Sequence, residues 1–340
     1  MSDNKNHTYI IAEAGVNHNG DINLAYKLID AAKKCGVDCI KFQTFKTENL
    51  VTKTAKKAEY QVENTKNNDS QFAMLKKLEL SYDDFKSLKE YCDKIDIEFM
   101  STPFDNDSVD LLEKLNMKTY KISSGDITNK PFLEYVASKN KPIILSTGMC
   151  TMDEVQEAVS WIEKTGNKQI TLLHCTSNYP TPYSDVNMNA MITLDKAFPY
   201  PTGYSDHTKG IIIPIMAVSM GATVIEKHFT LDKNMEGPDH KASLDVNELR
   251  EMVKAIRNIE SAKGSGEKQP AESELSTREV ARKSIVAARE IKKGHVITRE
   301  DLCLKRPGDG ILPKEIDKII GKTAVTNIDE DMKLTIEMFE

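Results

Sequence analysis

The chain reads as a (β/α)8 barrel followed by a small α+β module, and three observations carry that reading. Eight short apolar, β-rich runs recur through the first three quarters of its 340 residues. Segments with helical spacing separate most of them, and near residue 263 the composition turns polar. Strand and helix alternating eight times over about 260 residues is what a closed parallel barrel requires. A doubly wound sheet uses fewer strands and often a glycine-rich first turn, yet neither G-x-G-x-x-G nor a Walker A pattern occurs.

The strand runs, in order, are YIIAEAG, CIKFQTF, EFMSTPF, TYKISSG, PIILSTGM, ITLLHCT, the weaker PTGYSD, and TVIEKHFT. Among the helical segments, DINLAYKLIDAAKKCG opens on Asp21, SYDDFKSLKEYCDKI on Ser81 and TMDEVQEAVSWIEKTG on Thr151, all side chains that cap free N–H groups. Gly36 and Gly166 stand where the first and third of these should stop. NDSVDLLEKLN and TNKPFLEYVASKN have the same helical spacing. Residues 46–75 are too long and polar for a simple βα connection, and long loops at a barrel mouth commonly carry substrate contacts. GIIIPIMAVSMGATVI is shorter than a bilayer span and contains Pro214, Ser219 and Gly221, so a buried helix leading into a strand is expected, and no membrane contact. The expected divisions are a barrel over 1–262, a linker over 263–281 and a module over 282–340. The module has strand-turn-strand character around KKGH and is too thin to stand alone, so it should pack on the barrel or on a second chain.

Composition narrows the function. At 39% hydrophobic the chain can bury a large core, and a formal net charge of -6 argues against a nucleic-acid surface. An anionic substrate would therefore need a local cationic pocket. Six cysteines without a C-x-x-C pair fit reduced thiols, and the N-terminus lacks an apolar export signal, so a cytoplasmic protein is expected.

Barrel chemistry sits at the C-terminal ends of the strands. Those ends carry Glu13; Lys41 and Gln43; Thr102; Lys121 and Ser124; Ser146 and Thr147; His174 and Tyr179; Ser205 and His207; Glu226 and His228. Buried polar groups left unpaired cost about 1–3 kcal/mol each, so such a set must be satisfied or used. Lys41 and Lys121 with Ser124, Ser146 and Ser205 would line a pocket for phosphate or carboxylate. The same lysines could instead pair with Glu13 and Glu226. His207 and His228, on successive strands, can share one metal ion with positions open to water or substrate, or pack as core histidines. Glu13 is available as a general acid or base if burial raises its pKa.

The segments IIAEAGVNHNG, IKFQTF, STPFD, YKISSGD, ILSTGM, LLHCTSNYPTPY, GYSDHTKG, IEKHFTLDKNMEGPDH and KRPGDG stand in the order and nearly the spacing of one family. From about residue 8 to its end the chain resembles the sialic acid (nonulosonic acid) synthases, and residues 282–340 resemble their antifreeze-like (SAF) domain. The resemblance implies condensation of phosphoenolpyruvate with an N-acylated hexosamine, giving a nine-carbon 2-keto sugar acid and phosphate. N-acetylmannosamine is the expected sugar and N-acetylneuraminate the product, with an N,N'-diacetyllegionaminate synthase using 2,4-diacetamido-2,4,6-trideoxymannose as the alternative. It further implies that His207 and His228 bind a divalent metal, Mn2+ first, with Co2+, Mg2+ or Zn2+ in reserve. Lys41, Lys121, Ser124, Ser146 and Ser205 would then hold phosphoenolpyruvate. Glu13, Tyr179 and Asp239 would position the sugar and water, and Arg306 would meet the N-acyl group across a domain-swapped homodimer. Asp126 departs from the glutamate common at that position, and no contact is assigned to it. A Schiff-base lyase built on Lys121 or Lys41 is a distant alternative that leaves the paired histidines unexplained. A sugar-binding or ice-binding structural protein would rest on the C-terminal module alone.

Overall fold

A computed structural model describes residues 7–65 and 69–340. Eight strands form the barrel: β1 (Tyr9–Gly15), β2 (Cys39–Thr44), β3 (Glu98–Pro103), β4 (Tyr120–Ile122), β5 (Ile143–Ser146), β6 (Ile170–Cys175), β7 (Thr202–Asp206) and β8 (Val224–His228). Their order is β3-β2-β1-β8-β7-β6-β5-β4, and every ladder among them is parallel. β3 and β4 adjoin at the seam without a ladder, so the barrel is nearly closed. All eight runs read from the sequence are strands. They are buried on both faces, which is why they are near-continuous apolar runs rather than alternating ones.

The caps hold the helices where the sequence places them. Asp21 accepts from the Asn23 N–H, while Ser81 with Asp84 and Thr151 with Glu154 form capping boxes. Gly36 takes the left-handed conformation at φ 80° and donates back to Lys33 O, ending the helix Ile22–Cys35. The described residues of the 46–78 connection include three short helices, Thr47–Leu50, Glu59–Thr65 and Gln71–Leu78, in place of a plain loop, and residues 66–68 of it lie outside the described residues. The run expected as a buried helix is the helix Ile212–Ser219, and it is only half covered: Ile213 and Ala217 are buried while Ile212 and Met216 face solvent. No helix among the described residues is long and apolar enough to cross a membrane.

Gly203 shows how tightly β7 and β8 meet. A Cβ on it would lie 2.3 Å from Val224 O and 2.8 Å from Leu173 Cδ2.

The chain divides into two compact units, 1–264 and 265–340. The barrel helix Val246–Lys263 runs to the end of the first, and the expected linker contains the exposed helix Leu275–Ala281. In the second unit β9 (Ser284–Ala287) pairs antiparallel with β10 (Leu302–Lys305) over a separate core that includes Ile285, Ile291, Ile297, Ile328 and Leu334. Arg306 is exposed in the turn after β10.

Candidate active site

Strand register brings the chemistry together. β1 pairs with β8 so that Glu13 lies opposite His228, and with β2 so that Glu13 lies opposite Lys41. Between β7 and β8, Ser205 lies opposite Glu226 and Asp206 opposite Lys227, and one step further along come His207 and His228. Side chains alternate across a strand, so Ser205, His207, Glu226 and His228 share one face and Asp206 and Lys227 take the other.

Glu13, Lys41, Lys121, Ser124, Ser146, Tyr179, Ser205, His207, His228 and Asp239 all line one cavity of about 480 Å3. Ten of the eleven site residues read from the sequence therefore meet there; the eleventh, Arg306, belongs to the second unit. Lys41 Nζ is 2.8 Å from Glu13 Oε2, 3.5 Å from Glu226 Oε2 and donates to Thr102 Oγ1 at 2.9 Å. Lys121 Nζ donates to Ser146 Oγ at 2.7 Å and lies 3.6 Å from Glu226 Oε1, which accepts from Ser205 Oγ at 2.7 Å. Gln43 Nε2 donates to the other oxygen of Glu13 at 3.0 Å. The pairing of both lysines with the two glutamates is thus real, and it occurs on the wall of a cavity.

Burial and charge set the protonation of this network. Burial raises the Glu13 carboxyl despite Lys41, and it raises Asp239 to about 7 with Glu13 adding to the effect. Against burial, Lys121 and Lys41 hold Glu226 down to about 2. Burial lowers Lys121, whereas Lys41, facing both glutamates, is held above its ordinary value against burial.

The two histidines fit a metal. Burial lowers both imidazoles, His228 the further, so both are neutral near pH 7, the form in which an imidazole can hold a metal. His207 Nδ1 bonds Thr176 O at 2.7 Å; a carbonyl only accepts, so Nδ1 carries the proton and Nε2 presents its lone pair. His228 Nδ1 is buried without a hydrogen-bond partner. The ring centroids are 5.6 Å apart, a spacing two imidazoles can keep while sharing one ion. No group of three or more His, Cys, Asp or Glu among the described residues forms a metal cage, so an ion here would have two imidazoles and open positions.

Glu226, read from the sequence as a possible partner of the lysines but given no site role, links both lysines and Ser205. One contributor escaped the sequence reading. Tyr60, from the helix Glu59–Thr65, stacks on Tyr179 with centroids 5.1 Å apart, and Tyr179 lies 4.1 Å from the His207 ring. Asn64 donates to Pro238 O at 2.6 Å, tying the same helix to the segment that carries Asp239. The length of the 46–75 connection was the available signal; nothing in its spacing singled out Tyr60.

A parallel barrel whose mouth holds two buried lysines, two neutral histidines and two carboxylates of raised pKa has the make-up of a (β/α)8 enzyme. The chain belongs to the NeuB family, whose model matches residues 28–268, and a SAF domain matches residues 282–340. It is 51% identical over 336 residues to the N,N'-diacetyllegionaminic acid synthase of Legionella pneumophila, covering 98% of this chain and 94% of that one. Over 334 residues it is 37% identical to the human N-acetylneuraminate-9-phosphate synthase, covering 98% and 92%. Among solved structures, the N-acetylneuraminic acid synthetase of Leptospira borgpetersenii in complex with citrate has a TM-score of 0.71 at 37% identity, covering 80% of this chain and 90% of that one.

Proposed function

We propose that the protein condenses phosphoenolpyruvate with 2,4-diacetamido-2,4,6-trideoxymannose and water, giving N,N'-diacetyllegionaminate and phosphate. The observation that carries the proposal is the convergence of Glu13, Lys41, Lys121, His207 and His228 on one cavity in a chain 51% identical to diacetyllegionaminic acid synthases from two organisms. That similarity moves the choice of sugar from N-acetylmannosamine to its 4-acetamido-4,6-dideoxy analogue. The cavity supports the same choice, because Val16, Leu50, Met74, Leu75, Leu78 and Phe104 give it an apolar wall. A methyl group is at home on such a wall, whereas a hydroxyl left unpaired there costs about 1–3 kcal/mol.

Lys41 and Lys121, with Ser124, Ser146 and Ser205, would hold the carboxylate and phosphate of phosphoenolpyruvate. Its C3 forms the new bond to the sugar aldehyde carbon, whose oxygen takes up a proton to become a hydroxyl; water adds at C2 and gives up both its protons, one balancing that uptake and one leaving with phosphate as the C2–O bond breaks to give the ketone. Glu13, raised in pKa, takes a proton from that water, and Asp239 and Tyr179 orient the sugar. His207 and His228 would hold a divalent ion, Mn2+ first, which when bound supplies Lewis-acid polarisation of the aldehyde oxygen. The family resemblance also carries the proposal of a homodimer in which Arg306 meets the N-acyl group in the partner subunit.

The test is phosphate release with phosphoenolpyruvate and Mn2+, run with each sugar and with EDTA. EDTA-sensitive turnover with kcat/KM at least 10-fold higher for the trideoxy sugar is expected, and silence with both sugars would overturn the proposal. A monomeric mass, or an unchanged sugar KM in Arg306→Ala, would remove the dimer and the Arg306 role.

A further inference from the structure

Directly behind the two histidines, on the opposite face of the strands, lies a charge pair that the reaction does not use. Lys227 and Asp206 are cross-strand partners in register, both side chains wholly inaccessible, with Nζ 2.5 Å from Oδ2. Lys227 Nζ also donates to Thr208 O. Asp206 in turn accepts from the Thr208 N–H and from Thr208 Oγ1, each at 3.0 Å. Lys227, the residue before His228, is therefore bonded to both residues that flank His207.

A buried ion pair is a poor device for stability alone, because removing two charges from water consumes most of what their attraction returns. Apolar residues of similar volume often replace such pairs without loss of stability. What such a pair offers is directional hydrogen bonding, and here its bonds span the two strand ends whose next side chains are His207 and His228. The backbone completes the frame: His207 O accepts from Thr181 N–H at 2.9 Å and His228 O from Leu244 N–H at 2.9 Å.

We propose that Lys227, Asp206 and Thr208 are positioning residues that fix the separation and aim of His207 and His228, and so set the affinity of this site for a divalent ion. The inference rests on the metal-binding reading above. Groups behind metal ligands typically govern affinity by about 10–100-fold.

The test is Mn2+ binding to the purified full chain, followed by electron paramagnetic resonance, without substrate. Wild type is compared with Asp206→Asn/Lys227→Met, which removes both charges together and leaves no lone buried ion, and with Thr208→Val, which removes one donor hydroxyl at nearly constant volume. The expected result is a Kd raised about 10–100-fold in the double variant and severalfold in Thr208→Val, with melting temperatures in EDTA close to wild type. A Kd within twofold of wild type in either folded variant overturns the proposal while leaving the metal site standing. Wild type that binds no Mn2+ overturns the metal reading and this inference with it. If the double variant does not fold, Thr208→Val decides.

Discussion

Asp239→Asn is expected to raise the melting temperature of the metal-free protein at pH 8 and to leave it nearly unchanged at pH 4. Asp239 is 8% exposed on the cavity wall, and burial, with Glu13 second, pushes its carboxyl from 3.8 up to about 7. Each pKa unit is worth about 1.4 kcal/mol, so a shift of about three units amounts to ~4 kcal/mol. Because the folded pKa is the higher one, this contribution is fully present below the unfolded value and is lost as pH rises through about 7. Asparagine never ionises and keeps it at every pH. At ~2–4 °C per kcal/mol for a large domain, the gap at pH 8 has a ceiling of ~8–16 °C. Water entry and relaxation around the charge would reduce it. Circular dichroism melts in EDTA from pH 4 to 8.5 measure the gap directly. Coincident melts at pH 8 would refute the buried-carboxyl argument, and an equal gain at pH 4 would assign the effect to packing instead of ionisation.

Four further outcomes follow from the same geometry. Tyr60→Ala removes the ring stacked on Tyr179, an interaction of ~1 kcal/mol, so the sugar KM should rise about 5-fold with the phosphoenolpyruvate KM unchanged; a rise in both would place the helix Glu59–Thr65 elsewhere in the cycle. Lys121→Met deletes a charged donor worth about 1.5–3 kcal/mol and should raise the phosphoenolpyruvate KM ~10–100-fold. Borohydride with pyruvate should leave no adduct on wild-type Lys121, and an adduct found by mass spectrometry would point to Schiff-base chemistry. Gly203→Ala drives a Cβ to 2.3 Å from Val224 O, so β7 and β8 must part and soluble, cooperatively melting protein should be lost; a native-like melt would contradict the packing there.

The barrel was legible because its strands are continuous apolar runs separated by capped helices, two signals that local chemistry writes into adjacent residues. Asp21, Ser81, Thr151 and Gly36 do in space what their positions imply. The histidine pair was legible for a similar reason: equal places in successive strands become neighbours in a parallel barrel. Tyr60 was not, since its partner Tyr179 is far away in sequence and the two meet only through tertiary folding. The half-exposed helix Ile212–Ser219 escaped for a different reason. An apolar run of that length carries no polar face to mark the side turned to solvent, so Ile212 and Met216 look the same as Ile213 and Ala217.

The lysine–glutamate pairs reconcile two readings that looked exclusive. A site proposed to bind a polyanion needs cations in a dry pocket, and burial works against the charge of an ammonium group there, as the lowered pKa of Lys121 indicates. Glu13 and Glu226 counter this by keeping Lys41 charged, while Glu226 itself stays ionised. An arriving anion then competes with those carboxylates for the same ammonium groups. As it does so, Glu13, already raised, loses part of the attraction from Lys41 that opposes its proton uptake. In the proposed reaction, substrate binding would therefore push Glu13 further toward proton acceptance, as a general base requires. The structural pairing and the proposed catalytic role would then be successive states of one set of charges.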